Sequence, residues 1–214
     1  TFNWLLSLGF KGGTAVTLGA LPSANGVDYT YARGTVDGFS VEAANGDANI
    51  DGSTNEFDTT SVDVNLPFYL DQQGMSQFVL PLRALRFHGT LSDVVNCIGH
   101  YNAEGLSPDN DCQPTETAPP FVTGGSFESH ILLEDADQVI VPPLHQSLCV
   151  ILSGDSATYG DGGSPALCKR TDGVIDYQGN WCSATDAPGD GACRDAVRFN
   201  GGFAASTVQG GSVQ

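Results

Sequence analysis

Only two lysines occur among the 214 residues, and the eight basic residues face 25 carboxylates, for a formal charge of −17 at pH 7. Nucleic acid and anionic membrane surfaces are bound by clustered Lys and Arg, so this shortage excludes both as partners. Glutamate is scarce as well, 6 residues against 19 aspartates. Glu forms helices, whereas Asp competes for backbone hydrogen bonds and settles in turns and caps, so little helix and many acidic turns are expected. No apolar run approaches the roughly 18–20 residues of a membrane span; the longest are stretches such as Leu148-Cys149-Val150-Ile151-Leu152. No cysteine precedes Cys97 and no pair has the C-x-x-C spacing of thiolate metal sites or haem attachment, which leaves disulfides as the expected state of all six.

Those six are Cys97, Cys112, Cys149, Cys168, Cys182 and Cys193. Sequential pairing is the simplest of the possible connectivities, because each successive pair encloses a turn rich in Pro, Gly or Asp. Disulfides place the protein in an oxidising compartment, so it is expected to be secreted, periplasmic or on the cell surface. A chain that opens on Thr1 is what removal of a signal segment, or trimming, leaves.

Periodicity along the chain is two, the mark of half-buried strands. Ser61-Val62-Asp63-Val64-Asn65-Leu66 alternates cleanly, and further strands are expected at 14–18, 28–35, 38–43, 77–91, 129–133, 138–141, 148–152, 196–199 and 202–208. Within 77–91 the apolar phase runs Leu80, Leu82, Ala84 and then shifts to Leu85, Phe87. That shift predicts a β-bulge, with Pro81 confining its end of the strand to an edge or a bulge. A single helical turn is expected at 132–137, and 93–101 reads as strand or short helix. The best fit is an all-β fold, an antiparallel β-sandwich or jelly-roll-like domain with long Gly/Asp-rich loops and little helix. One domain spanning 1–214 is expected, with a disulfide-bonded, loop-rich C-terminal part; the Pro/Thr-rich stretch 110–120 is the place where a boundary would fall.

Asp47, Asn49, Asp51, Ser53, Asn55 and Asp58 stand at positions 1, 3, 5, 7, 9 and 12 of a twelve-residue run with Gly52 at the sixth. This run resembles the calcium loops of the EF-hand superfamily, most closely those of the dockerin type, which tolerate Asp at the twelfth position. The resemblance implies calcium as cofactor, with side-chain ligands Asp47, Asn49, Asp51 and Asp58, a backbone oxygen from Ser53, and Asn55 at the water-bridged position. Thr59-Thr60-Ser61-Val62 follows in place of a helix, so the partner binding of dockerins is not implied, and the ion would staple a long connection between strands 38–43 and 60–66. An Asp/Asn/Gly run also serves as an ordinary solvated turn.

Two other patterns concern activity. Gly160-Asp161-Gly162-Gly163-Ser164-Pro165 is similar to the nucleophile signature of chymotrypsin-like proteases, but Gly162 stands where the nucleophilic serine belongs and Ser164 where that family has glycine. His88, His100, His130 and His145 show no H-E-x-x-H and no short metal spacing. No enzyme is expected. Tyr159, Asp161, Asp176, Tyr177, Asn180 and Trp181 place aromatics beside acids and amides in glycine-rich loops, a combination that stacks on sugar rings and takes their hydroxyls, or else covers a small disulfide-bonded core. The apolar N-terminal ten residues either close the protein's own sheet or complete that of a neighbour. The expected function is therefore a calcium-stabilised structural or assembly protein of the cell surface, with self-assembly or other surface proteins as partners. The alternatives are a carbohydrate-binding module using the loop aromatics, with a glycan partner, and then a secreted hydrolase.

Overall fold

The computed structural model describes residues 4–8, 14–22, 29–31, 34–70, 77–93, 97–101, 121–155, 159, 161–206 and 211–212. The chain opens with β1 (Trp4–Leu8), which folds back antiparallel on β2 (Thr14–Pro22); β2 also pairs with β3 (Tyr29–Tyr31). A tight hairpin follows, β4 (Gly34–Val36) and β5 (Phe39–Val41), turned by Asp37 and Gly38 at φ 49° and 84°. An Asp-Gly pair with both φ positive is the two-residue loop whose twist matches that of the flanking strands. Then come β6 (Ala44–Ile50), β7 (Glu56–Thr59), β8 (Val62–Tyr69) and the fourteen-residue β9 (Gln77–Thr90).

Strand β9 is the spine of the fold, and it changes partners halfway. Its first part, Gln77 to Leu85, pairs with β8, while His88 to Thr90 pair with β7. Between them sits the bulge expected from the apolar phase shift: Ala84 has φ 50°, and the registers with β8 and with β13 (Gly125–Leu132) both slip there. A bulge strands backbone groups that need partners. Asp63 accepts the Ala84 N–H at 2.9 Å, and the Ser129 hydroxyl donates to the Arg83 carbonyl at 2.9 Å. Beyond the bulge the alternation is strict: Leu85, Phe87 and Gly89 face the core, Arg86, His88 and Thr90 face solvent.

Ahead of β13 lie three short strands, β10 (Cys97–Ile98), β11 (His100–Tyr101) and β12 (Phe121–Val122), the last two paired together. After β13 come α1 (Leu133–Gln138), the two-residue pair β14 (Ile140–Val141) and β15 (Gln146–Ser147), and α2 (Leu148–Ser153). The helical turn expected at 132–137 is thus present. The strand expected at 148–152 is instead α2, because Ser147 caps its start by accepting the Val150 N–H at 3.2 Å and Gly154 ends it in the left-handed region at φ 69°. An unbroken apolar run carries no period, so its end signals decide.

The C-terminal third adds the hairpins β16 (Arg170–Thr171) with β17 (Val174–Ile175) and β18 (Trp181–Cys182) with β19 (Ala187–Pro188). It ends in β20 (Ala196–Phe203), β21 (Ala205–Ser206) and β22 (Gly211–Ser212), where β21 pairs with β10 and β22 runs parallel to β3. The protein is all-β and predominantly antiparallel. Among the described residues its main sheet has twelve strands, ordered β19-β18-β20-β13-β9-β7-β6-β2-β3-β22 with β1 on β2 and β8 on β9. Strands from either side of segment 110–120, which lies outside the described residues, therefore share one sheet.

Phenylalanines and glycines interlock on the inner face of this sheet. One row runs Phe57, Gly89, Gly125, Phe203. A Cβ on Gly89 would lie 2.9 Å from the Phe57 ring, and one on Gly125 2.5 Å from that of Phe203, so each ring occupies the room a glycine leaves. Phe87 meets Phe203 edge-on at 5.5 Å and Phe127 at 6.4 Å, extending the aromatic layer toward Leu85 and Ile131.

Two of the expected disulfides are formed as sequential pairs, Cys149–Cys168 and Cys182–Cys193. Cys97 is disulfide-bonded too, and Cys112 lies outside the described residues. Beside Cys149–Cys168 the buried Asp137 carboxylate accepts from the Ser147 hydroxyl at 2.9 Å, the Cys168 N–H at 2.7 Å and Arg170 at 2.9 Å. Strands β15 and β16 and the loop bearing Cys168 are tied to α1 by this one side chain.

Candidate functional site: the outward face of the sheet

The twelve-residue run 47–58 folds as a β-hairpin, so the long connection expected between strands 38–43 and 60–66 itself contains β6 and β7. Asn49 stands opposite Asp58 and Ile50 opposite Phe57, and the turn spans only 51–55. The turn is closed by its own hydrogen bonds, Asn55 N to Asp51 O and Asp51 N to Glu56 O, both 2.8 Å, with Asn55 at φ 58°. Asp51 accepts from the hydroxyl and amide of Ser53 at 2.6 and 2.7 Å, which holds its carboxyl below the ordinary range. Asp47 is tied to Thr60 through its backbone, and Asp58 to His88 at 2.8 Å. The six residues thus line a ladder and its turn. The reason lies in Ala48, Ile50 and Phe57, whose inward alternation pulls this run into the sheet.

The loop aromatics stand in different surroundings. Tyr159 stacks on His145 at 6.4 Å, Tyr177 packs against the core, and Trp181 stands on β18. Asn180 is occupied, its side-chain oxygen accepting the Arg198 N–H at 2.8 Å. Asp176 is exposed, and nothing is described of the Asp161 side chain. Near Ser164, His145 Nε2 donates to the Gly163 carbonyl at 2.5 Å, so that nitrogen carries its proton and faces backbone.

What the fold does assemble is an outward polar face across β6, β7, β9, β13 and β20. The ladder puts Asn49, Asp58, His88, Ser126 and Gly202 in one row, and Arg86, Glu128 and Asn200 in the next. A shallow depression of about 300 Å³ opens here, lined by Asp58, Arg86, His88, Ser126 and Glu128 over the backbone of Thr59 and Phe87. Each charged side chain lining the depression has a partner. Asp58 holds His88, Asp186 holds Arg86, and Glu128 holds Arg198 at 3.0 Å. Asp186, at φ 47° in the turn between β18 and β19, also accepts the Trp181 indole N–H at 3.1 Å. The same Oδ1 lies 3.3 Å from Nδ1 of the buried His130 ring, without hydrogen-bond geometry.

Asp58, His88 and Ser126 are the residue types of a nucleophilic triad, in register on three neighbouring strands. The Asp58 contact fixes the His88 proton on Nδ1 and leaves Nε2 to solvent, and no hydrogen bond joins His88 to Ser126. Among the described residues the close groups of His, Cys, Asp and Glu are Asp137 with Cys149 and Cys168, and Cys182 with Cys193 and Asp195, both built on disulfides. No helix of the described residues is long and apolar enough to cross a membrane. No protein-family model, curated protein or solved structure matches the chain. This face carries no local signature, because Arg86, His88, Ser126 and Glu128 are spaced by the alternation of any half-exposed strand.

Proposed function

We propose that the protein is an extracytoplasmic binding module that takes an uncharged carbohydrate on the outward face of its sheet. The observation that carries this reading is the depression between β7, β9 and β13, where donors (Arg86, His88, Ser126) alternate with acceptors (Asp58, Glu128) and every charge already has a partner. A lining whose ion pairs leave at most the Asp58 charge over, since His88 balances it only when protonated, favours a ligand that offers both donors and acceptors, and sugar hydroxyls do so. Polyanions are repelled by the whole-molecule field. Disulfides support the extracytoplasmic setting. The test is binding to an array of neutral and acidic oligosaccharides, repeated with Asp58→Ala, His88→Ala and Trp181→Ala. Binding of neutral sugars lost in the first two variants supports the sheet face; loss only in Trp181→Ala returns the site to the loop aromatics; no binding by the wild type sinks the reading.

A structural or assembly role at the cell surface is the second reading. It is favoured by strands β1, β19 and β22 lying at the margins of the main sheet, where another chain could add. Oligomers that grow with concentration in sedimentation, without glycan binding, would support it. Calcium enters as an addition to either reading, supported by the acidic charge and by the outward Asp47, Asp51 and Asp58 alone. A rise in Tm with calcium over chelator that disappears in Asp47→Ala/Asp51→Ala would establish it, and an unchanged Tm would remove it.

A further inference from the structure

Arg86 and Glu128 face each other directly across the β9–β13 ladder, on the same outward surface. Cross-strand neighbours of opposite charge have Cβ atoms about 4.5–5.5 Å apart and ordinarily pair. Here they do not pair with each other. Arg86 is taken by Asp186, and Glu128 by Arg198, whose guanidinium lies 5.0 Å over the Trp181 ring. Both Asp186 and Trp181 belong to the segment of β18, its turn and β19, whose Cys182 is bonded to Cys193. A second tie holds the same turn, the Ser183 amide and hydroxyl donating to Asp195 at 2.9 and 2.5 Å.

We infer that this disulfide-anchored hairpin is the positioning element of the sheet-face site: by drawing Arg86 toward Asp186 and Glu128 toward Arg198 it keeps the two walls of the depression apart. The inference rests on the carbohydrate reading for its ligand, but its geometry does not. Without the Asp186 charge, Arg86 swings to Glu128 and the pair fills the depression. The hairpin also removes rotamer freedom from two long arginine side chains before any ligand arrives, which lowers the cost of binding. Asp186 and Trp181 are positioning residues and are not assigned contact with the ligand.

The variant is Asp186→Asn, which suits the left-handed backbone at φ 47° because Asn tolerates it and which keeps an acceptor for the Trp181 indole. Asp172→Asn, at φ 51° in the turn of the β16–β17 hairpin, is the matched control. The ligand-free readout is the Arg86 Nε–Hε resonance. Glu128→Gln is expected to leave it in place in the wild-type background and to move it in the Asp186→Asn background, where the new pair has formed. The ligand readout is calorimetry with cellohexaose and mannohexaose. Affinity is expected to fall about tenfold or more in Asp186→Asn, the equivalent of one disordered or misplaced charged side chain, and to stay unchanged in Asp172→Asn. Trp181→Phe, which keeps a ring under Arg198 and deletes the N–H, gives a smaller change in the same direction and serves if Asp186→Asn does not fold. An Arg86 resonance indifferent to Asp186, or equal sugar affinity in Asp186→Asn and wild type, overturns the inference. A wild type that binds neither sugar while the Arg86–Glu128 switch still occurs defeats the carbohydrate reading and leaves the positioning role standing.

Discussion

Replacing Gly89 by alanine tests whether the glycine–phenylalanine row sets the inner face of the sheet. The added Cβ would lie 2.9 Å from Phe57 Cε1, 3.1 Å from the Gly125 Cα and 3.2 Å from the Gly124 carbonyl. Two of those three neighbours are backbone, and Phe57 is 1% exposed, so nothing nearby can give way cheaply. Overpacking of this kind costs about 1–3 kcal/mol. Alanine recovers about 0.5–1 kcal/mol of the entropy that glycine forfeits in a strand, which leaves a net loss of about 1–2 kcal/mol. Gly201→Ala is the control: its Cβ meets only the Phe127 ring, at 3.1 Å, and that ring is half-buried and able to tilt. The assay is equilibrium urea unfolding of the oxidised proteins, read alongside Tm, where each kcal/mol amounts to about 2–4 °C in a chain of this size. Phe57→Leu, combined with Gly89→Ala, should cost less than the two changes separately, because the shorter side chain clears the new methyl. A Gly89→Ala protein within about 0.5 kcal/mol of wild type, or one no worse than Gly201→Ala, would refute the reasoning.

Three further outcomes are expected. Ser129→Ala leaves the Arg83 carbonyl at the bulge without its hydroxyl donor in a buried setting, and should lower stability by about 1–2 kcal/mol in the same denaturation assay. Asp137→Asn replaces the acceptor for Ser147, Cys168 and Arg170 with an amide that accepts at one oxygen only, for a loss of about 1–3 kcal/mol; a Tm equal to that of wild type would deny the cluster any net role. Burial alone would raise the Asp195 carboxyl, but the Ser183 hydroxyl and amide and the nearby His130 outweigh it and hold the folded value below 3.8. A depressed carboxylate stabilises fully above its unfolded pKa and loses that contribution as pH falls through the folded one. The Tm gap between wild type and Asp195→Asn should therefore be flat above about pH 5 and shrink below 3.8.

Much of the fold was legible because alternation is a local property. The phase shift after Ala84 located the bulge, and the short helix at Leu133–Gln138 was visible in 132–137. Leu148–Ser153 was misread as strand since five apolar residues in a row fit either period, and only the Ser147 cap and Gly154 decide between them. The run 47–58 was legible as an acidic turn, but not as a pair of strands. Its oxygens drew attention to the turn, while Ile50 and Phe57, a cross-strand pair with Phe57 buried, are what bring its flanks into the sheet. The outward face could not be read at all. Its rows join residues 49, 58, 88, 126 and 202, and that adjacency depends on strand order, which no local pattern encodes.

Asp137 also bears on how the region around α1 and α2 is held together. A carboxylate at 5% exposure is stable only once its donors have arrived, and those donors are spread over Ser147, Cys168 and Arg170. The same contact that satisfies the charge brings the Cys168 backbone beside the helix bearing Cys149. The Cys149–Cys168 bond and the Asp137 hydrogen bonds therefore close the same neighbourhood, one by a covalent link and the other by a group that carries no sulfur.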